Sequence, residues 1–286
     1  DEVYAKVGRP ALYDVLKGMH GCILAYGQTG SGKTYTLLQT GDGTDTNEVG
    51  LVPRLISELY VNIASDFDNV YEVSVSMFQI YNEQVDDLLD GTKQNLRVRQ
   101  EMRAEGWYVE DLTWRVCDSP ELLMEIFDEG RKQLRYAETH MNKHSSRSHA
   151  VMQFKVTCRP RVEEKTEEDG MKTFKRLLGK MTVVDLAGSE RVKKSQPYAI
   201  SKHEIRFKEA TQINTSLLAI GNVVQALAKQ QNHVPFRDSN LTRILEGSLG
   251  GRSRTSLIAC VAPEMFSMSE TSSTLEFATR AISILA

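Results

Sequence analysis

Apolar and polar positions along the chain switch between a helical period and a strand period, and the order of the switches outlines an α/β protein. Pro10 to His20 carries apolar residues at Ala11, Leu12, Val15, Leu16 and Met19, a helical spacing with proline near its start and Gly18 and Gly21 near its end. Cys22 to Tyr26 follows as a short apolar run bounded by glycine, too short for a helix and therefore read as a buried strand. Helical spacing resumes at Tyr35, Leu37 and Leu38. It gives way to a polar, turn-rich surface loop over 41–50 and returns through Leu55, Leu59 and Ile63.

Tyr71, Val73, Val75 and Met77 alternate with Glu72, Ser74 and Ser76, the pattern of a strand with one wet face. The alternation slips at Phe78, which reads as a bulge or a strand end. Segments 96–99 and 107–116 read as short strands. Ser119-Pro120-Glu121 then opens a helix to about Arg135, with serine as cap, proline at the first position and an acid in the first turn. A dense polar stretch over 142–149 leads into an alternating strand over 150–158, and 159–176 reads as a solvated hairpin loop with charges of both signs. Met181 to Leu186 is an apolar run containing Asp185. Residues 191–208 are basic and irregular, and Ile213, Leu217, Ile220, Val224 and Leu227 mark a long helix. Residues 233–245 pair a loop with a shorter helix. Thr255 to Ala262 reads as a buried strand, and Ser269 as the cap of a last helix carrying Leu275, Ala278 and Ile282.

Composition narrows the classes. A chain of 286 residues can bury a sizeable core, and without an internal repeat or low-complexity linker it reads as one domain over 1–286. The net charge of −3 offers no global basic field for nucleic acid, so a polyanionic partner would need a local patch. Cys22, Cys117, Cys158 and Cys260 lie far apart without C-x-x-C spacing, which argues against a zinc site or a disulfide framework and fits a reducing cytoplasm. No apolar run is long enough to span a membrane.

The chemistry concentrates between the first strand and the helix after it. Gly27 to Thr34 fits G-x-x-x-x-G-K-[ST] in full, in the strand-loop-helix context the pattern requires. Gly27, Gly30 and Gly32 let the backbone N–H groups of Gln28, Thr29, Ser31 and their neighbours converge on an oxyanion, and the helix adds its N-terminal partial charge. Lys33 would reach the β and γ phosphates of a bound nucleotide, and Thr34 would ligate Mg²⁺. Asp185, at the carboxyl end of a buried strand and followed by Gly188, supplies what a second phosphate-sensing element needs. Its carboxylate can hold a Mg²⁺-bound water while the glycine N–H meets the γ-phosphate. Tyr35 is placed to line the base site.

Four stretches in this order resemble the kinesin motor domain: AYGQTGSGKT at 25–34, NKHSSRSH at 142–149, VDLAGSE at 184–190 and HVPFRDSNLTRIL at 233–245. GLVPR at 50–54, INTSLLAIGNVVQAL at 213–227 and TLEFATRA at 274–281 add to the resemblance. It implies a P-loop NTPase fold with a central, mostly parallel mixed β-sheet flanked by helices on both faces. By the same resemblance 142–149 is switch I, with Ser146 a Mg²⁺ or water contact and Asn142 near the γ-phosphate, and Arg147 pairs with Glu190 of switch II to close the pocket over the terminal phosphate. His144 and His149 read as polar loop contacts in preference to proton-transfer groups. The helix at about 205–229 resembles the relay helix that meets tubulin, which makes Lys193, Lys194, Arg237, Asn240 and Arg243 the expected microtubule contacts.

The resemblance implies an ATPase stimulated by microtubules, with Mg²⁺-ATP as cofactor and no nucleic acid or membrane partner. The protein would be cytoplasmic and cytoskeletal, with any dimerisation carried by segments outside this chain. Two departures stand out. After switch II the chain reads KKSQPYAISKHEIRFKEA, longer than the family's segment and without its glycines, and Thr215 replaces a lysine. The family's motor also begins earlier and continues into a neck linker, so the chain reads as truncated at both ends. The altered loop motivates an alternative, a kinesin-like protein that binds microtubules as a static element and hydrolyses slowly.

Overall fold

The computed structural model describes residues 2–40, 48–100, 106–140, 147–161, 176–190, 203–251 and 253–284. Its central sheet has the strand order β3-β2-β7-β8-β1-β9, with β6 also paired to β2. The strands are β1 (His20–Gly27), β2 (Asn69–Tyr81), β3 (Gln84–Asp87), β6 (Arg115–Cys117), β7 (His149–Pro160), β8 (Leu177–Asp185) and β9 (Ser253–Cys260). A separate two-stranded sheet joins β4 (Val98–Gln100) to β5 (Trp107–Val109). The main sheet is mixed: β1 runs parallel to both β8 and β9, whereas β7 pairs antiparallel with β2 and β8.

Helices cover both faces, and the alternation within each strand decides which residues meet them. Ile23, Ala25, Val73, Val75, Met77, Met152, Phe154 and Met181 pack on one side with α1 (Arg9–Leu16), α2 (Lys33–Leu38), α3 (Leu51–Ser65) and α4 (Pro120–His140). Cys22, Leu24, Phe78, Ile80, Val151 and Val184 pack on the other with α5 (His203–Ala228), α6 (Asn240–Leu249) and α7 (Met268–Ile282). The layered α/β architecture expected from the sequence is the one observed.

Several boundaries differ, each for a physical reason. Phe78 marks neither a bulge nor an end, because β2 continues to Tyr81 in unbroken register with β7 from Asn69 opposite Pro160 to Ile80 opposite His149. Its alternation fades because the second face becomes covered: Phe78 and Ile80 fill that core where Ser74 and Ser76 did not. The segment 107–116 is two strands, β5 and β6, separated by a turn with Asp111 at φ 60°. β3 carries a single apolar side chain, Val85, and its pairing comes from the tight turn at Asn82 and Glu83, both at positive φ. Ser269 does not cap α7; the N-cap is Ser267, which makes no side-chain cap bond and instead accepts from Gln28 Nε2 at 3.0 Å. Ser119 does cap α4, accepting from the Leu122 N–H at 3.2 Å. All four cysteines are buried and free.

Candidate functional site

β1 delivers the chain into the phosphate loop between β8 and β9, where Ala25 lies opposite Asp185 and Gly27 opposite Cys260. The two segments read as phosphate-sensing therefore emerge side by side at the carboxyl ends of parallel strands, the usual place for a ligand in an open α/β sheet. Gly30 and Gly32 adopt φ of 80° and 95°, which L side chains rarely occupy, and Gly32 is the N-cap of α2. The loop thus turns its backbone toward the open end of the helix, where the first N–H groups have no intrahelical partner.

Lys33 is buried, 7% exposed, and its ammonium donates to the carbonyls of Gly27 at 3.0 Å and Gln28 at 2.9 Å. Burial lowers its pKa, with Asp185 and Glu190 pulling in the opposite direction. The loop holds a desolvated positive charge on weak carbonyl partners, so an anion entering the site would gain a poised cation.

Thr34 Oγ1 donates to Asp185 Oδ2 at 2.5 Å, while Asp185 Oδ1 is buried without a partner among the described residues. Burial raises the Asp185 pKa, and the Thr34 bond and Lys33 charge oppose that rise. A hydroxyl beside a carboxylate with an uncommitted buried oxygen is a hard-oxygen donor set that suits Mg²⁺.

Glu190 closes the third side. Its carboxylate accepts from the Thr29 N–H at 2.9 Å and from Thr29 Oγ1, and the Ser189 N–H donates to the Gly27 carbonyl at 3.1 Å. Gly188 is enclosed by these groups: a Cβ there would run into Thr29 Oγ1 and both Glu190 carboxylate oxygens. The segment after β8 is therefore clasped directly onto the phosphate loop.

These elements border a cavity of about 400 Å³ lined by Thr29, Gly30, Gly32, Lys33, Thr34, Tyr35 and Asp185 on one side and by Arg131, Leu134 and Arg135 of α4 on the other. The two arginines were not singled out in the sequence. Their i, i+4 spacing on the helix that leads into 142–149 was the available signal. Arg131 donates to Thr40 Oγ1 at 3.2 Å and lies 3.6 Å from Asp128. Tyr35, more than half exposed, stands at the cavity's edge.

Of the remaining sequence candidates, Asn142, Ser146, Lys193 and Lys194 lie outside the described residues, as does His144. Arg147 is half-buried two residues before β7. His149 is no loop contact. It opens β7, is 2% exposed, and is bonded through both ring nitrogens. On the opposite face, Arg237 is exposed. Asn240 holds α6 to the β2–β3 turn, its N–H donating to Glu83 Oε2 at 2.6 Å and its Nδ2 to the Glu83 carbonyl at 2.7 Å. The Arg243 guanidinium donates to the Arg237 carbonyl at 2.9 Å and lies 5.2 Å from the centre of the Trp107 ring.

Comparison with known proteins gives a consistent result. The family model of the kinesin motor domain matches residues 1–284. The kinesin heavy chain of Strongylocentrotus purpuratus is 40% identical over 286 residues, covering 99% of this chain and 26% of the relative. The human kinesin-1 heavy chain is 40% identical over 285 residues, covering 99% of this chain and 28% of the relative. A solved structure of a fast kinesin superposes with a TM-score of 0.85 at 38% identity, covering 99% of this chain and 75% of that one. The chain spans about a quarter of the length of the curated relatives it matches.

Proposed function

The chain belongs to the kinesin motor domain family, and from that premise we propose that it binds Mg²⁺-ATP at the phosphate loop, hydrolyses it, and couples the nucleotide state to microtubule binding and movement. The observation that carries the reading is the convergence on one cavity of Lys33, the Thr34–Asp185 pair and the Gly188–Glu190 segment.

Phosphoryl transfer leaves a protein little covalent work, so its residues must position the nucleotide and stabilise charge. Lys33 would exchange its carbonyl partners for the β and γ phosphates, and the N–H groups at the start of α2 would hold the remaining phosphate oxygens. Thr34, Asp185 and Ser146 would hold Mg²⁺, the aspartate through water. When bound, the ion neutralises charge shared by the β and γ phosphates. The Gly188 N–H would meet the terminal phosphate. Glu190 would then leave Thr29 for Arg147, closing the site around the attacking water, with Asn142 beside the γ-phosphate. Arg237 and the basic segment at Lys193 and Lys194 would face tubulin's acidic surface. Asn240 and Arg243 would belong to the same face, where their bonds also fix α6.

Steady-state ATP turnover with and without microtubules tests the proposal. Stimulation by microtubules supports it. Turnover unchanged by tubulin refutes the motor reading and favours the static alternative that the altered loop after switch II suggests.

A further inference from the structure

His149 joins three elements that the proposed function needs to move together. It is the first residue of β7 and the last of the segment read as switch I. Its Nδ1 accepts from the Ala187 N–H at 2.9 Å, and Ala187 immediately precedes Gly188. Its Nε2 lies 2.8 Å from Ser216 Oγ, on α5. Because Nδ1 is an acceptor, the ring proton sits on Nε2 and is donated to Ser216. Ser216 is itself buried, as are its neighbours Leu217, Ala219 and Ile220 on α5. Burial pushes the His149 pKa down to about 3, with the Lys33 charge adding to the effect, so the ring stays neutral and keeps this tautomer through the physiological range.

We propose that His149 is a positioning residue that transmits the placement of Gly188 to α5 through Ser216. An imidazole is rigid, and both of its nitrogens are committed. A displacement of the Gly188 backbone, carried by the adjoining Ala187 N–H, must break the Nδ1 bond or turn the ring against Ser216. Either outcome changes the hold on α5, so the two ends of the ring share one geometry. A satisfied core histidine with no such role would contribute stability alone.

The inference rests on the nucleotide reading above, and the experiment separates the two. Binding of a fluorescent ATP analogue to the wild-type chain tests the nucleotide reading, and its absence sinks both. With binding present, amide hydrogen exchange over 213–228 is compared between a non-hydrolysable ATP analogue with Mg²⁺ and ADP. The wild type should show a difference between the two states. Ser216→Ala, which leaves the nucleotide contacts intact, should reduce that ratio of exchange rates about tenfold, equivalent to about 1.4 kcal/mol of lost coupling. His149→Asn, which keeps an acceptor for Ala187 but loses the donor to Ser216, should show the same loss, and Ser216→Thr, which keeps the hydroxyl, should restore the difference. Should Ser216→Ala keep the wild-type difference and only lower the melting temperature, the transmitting role is overturned. It is equally overturned if the wild type binds nucleotide and shows no difference.

Discussion

Replacing Lys33 with methionine keeps the buried stem and removes the charge, so it separates what the ammonium does for folding from what it does for binding. In the free protein Lys33 is desolvated and its charge is disfavoured by burial more than Asp185 and Glu190 favour it. Below the depressed folded pKa this cost is fully present, and it disappears only as pH rises past the unfolded value near 10.5. At neutral pH the variant therefore should not melt earlier than the wild type. Binding behaves oppositely. ATP at 100 times its Kd stabilises a protein by about 2.7 kcal/mol, which for a chain of this size raises the melting temperature by roughly 4–5 °C. Losing a charge-assisted hydrogen bond of about 1.5–3 kcal/mol weakens binding about 10–150-fold. At a hundredfold loss, the same ATP concentration stabilises the variant by only about 0.4 kcal/mol, a shift of less than about 1 °C. Differential scanning fluorimetry across an ATP titration reads both numbers. A variant with the full wild-type shift would refute the assignment of Lys33 to the phosphates.

Four further outcomes rest on the same geometry. Glu190→Ala removes the clasp on Thr29 but no proposed phosphate ligand, so ATP affinity should hold while single-turnover hydrolysis falls at least about a hundredfold; wild-type turnover would contradict this. His149, with a pKa of about 3 in the fold against 6.5 for the ordinary group, leaves the unfolded chain binding more protons between those values. Stability should therefore be full above about pH 6.5 and fall by up to about 1.36 kcal/mol per pH unit below it, and urea midpoints for His149→Asn should lack that slope. Arg237→Ala should weaken microtubule co-sedimentation about two- to fivefold at low salt without altering stability. Arg243→Ala, which loses the Arg237 carbonyl and the Trp107 ring, should instead lower stability by about 1–2 kcal/mol in a thermal melt.

The phosphate loop was legible because every constraint on it is local: a strand, glycines at the positions that need positive φ, and a lysine and a threonine at the helix start. Asp185 was legible for a similar reason, standing where an apolar run ends. What the sequence hid depends on neighbours far along the chain. Gln84 to Asp87 becomes a strand through its turn and its partner, with one apolar side chain to announce it. Phe78 looked like an interruption because alternation cannot tell a bulge from a strand whose second face has become buried. Arg131 carried no local signal beyond its helical spacing, and only the packing of α4 brings it to the cavity. His149 read as one more polar residue in a polar stretch, since nothing local reveals that Ala187 and Ser216 will meet its two nitrogens. The bonds of Asn240 and Arg243 to Glu83, the Arg237 carbonyl and Trp107 are likewise visible only in three dimensions.

The central claim is that separate loops meet at one terminal phosphoryl group. A crystal structure with Mg²⁺ and a non-hydrolysable ATP analogue tests it most directly. The account predicts the γ-phosphate between Lys33 Nζ and the Gly188 N–H, with Lys33 released from the carbonyls of Gly27 and Gln28 and Glu190 released from Thr29. A bound nucleotide that leaves those contacts in place, with its terminal phosphate remote from Gly188, would contradict it.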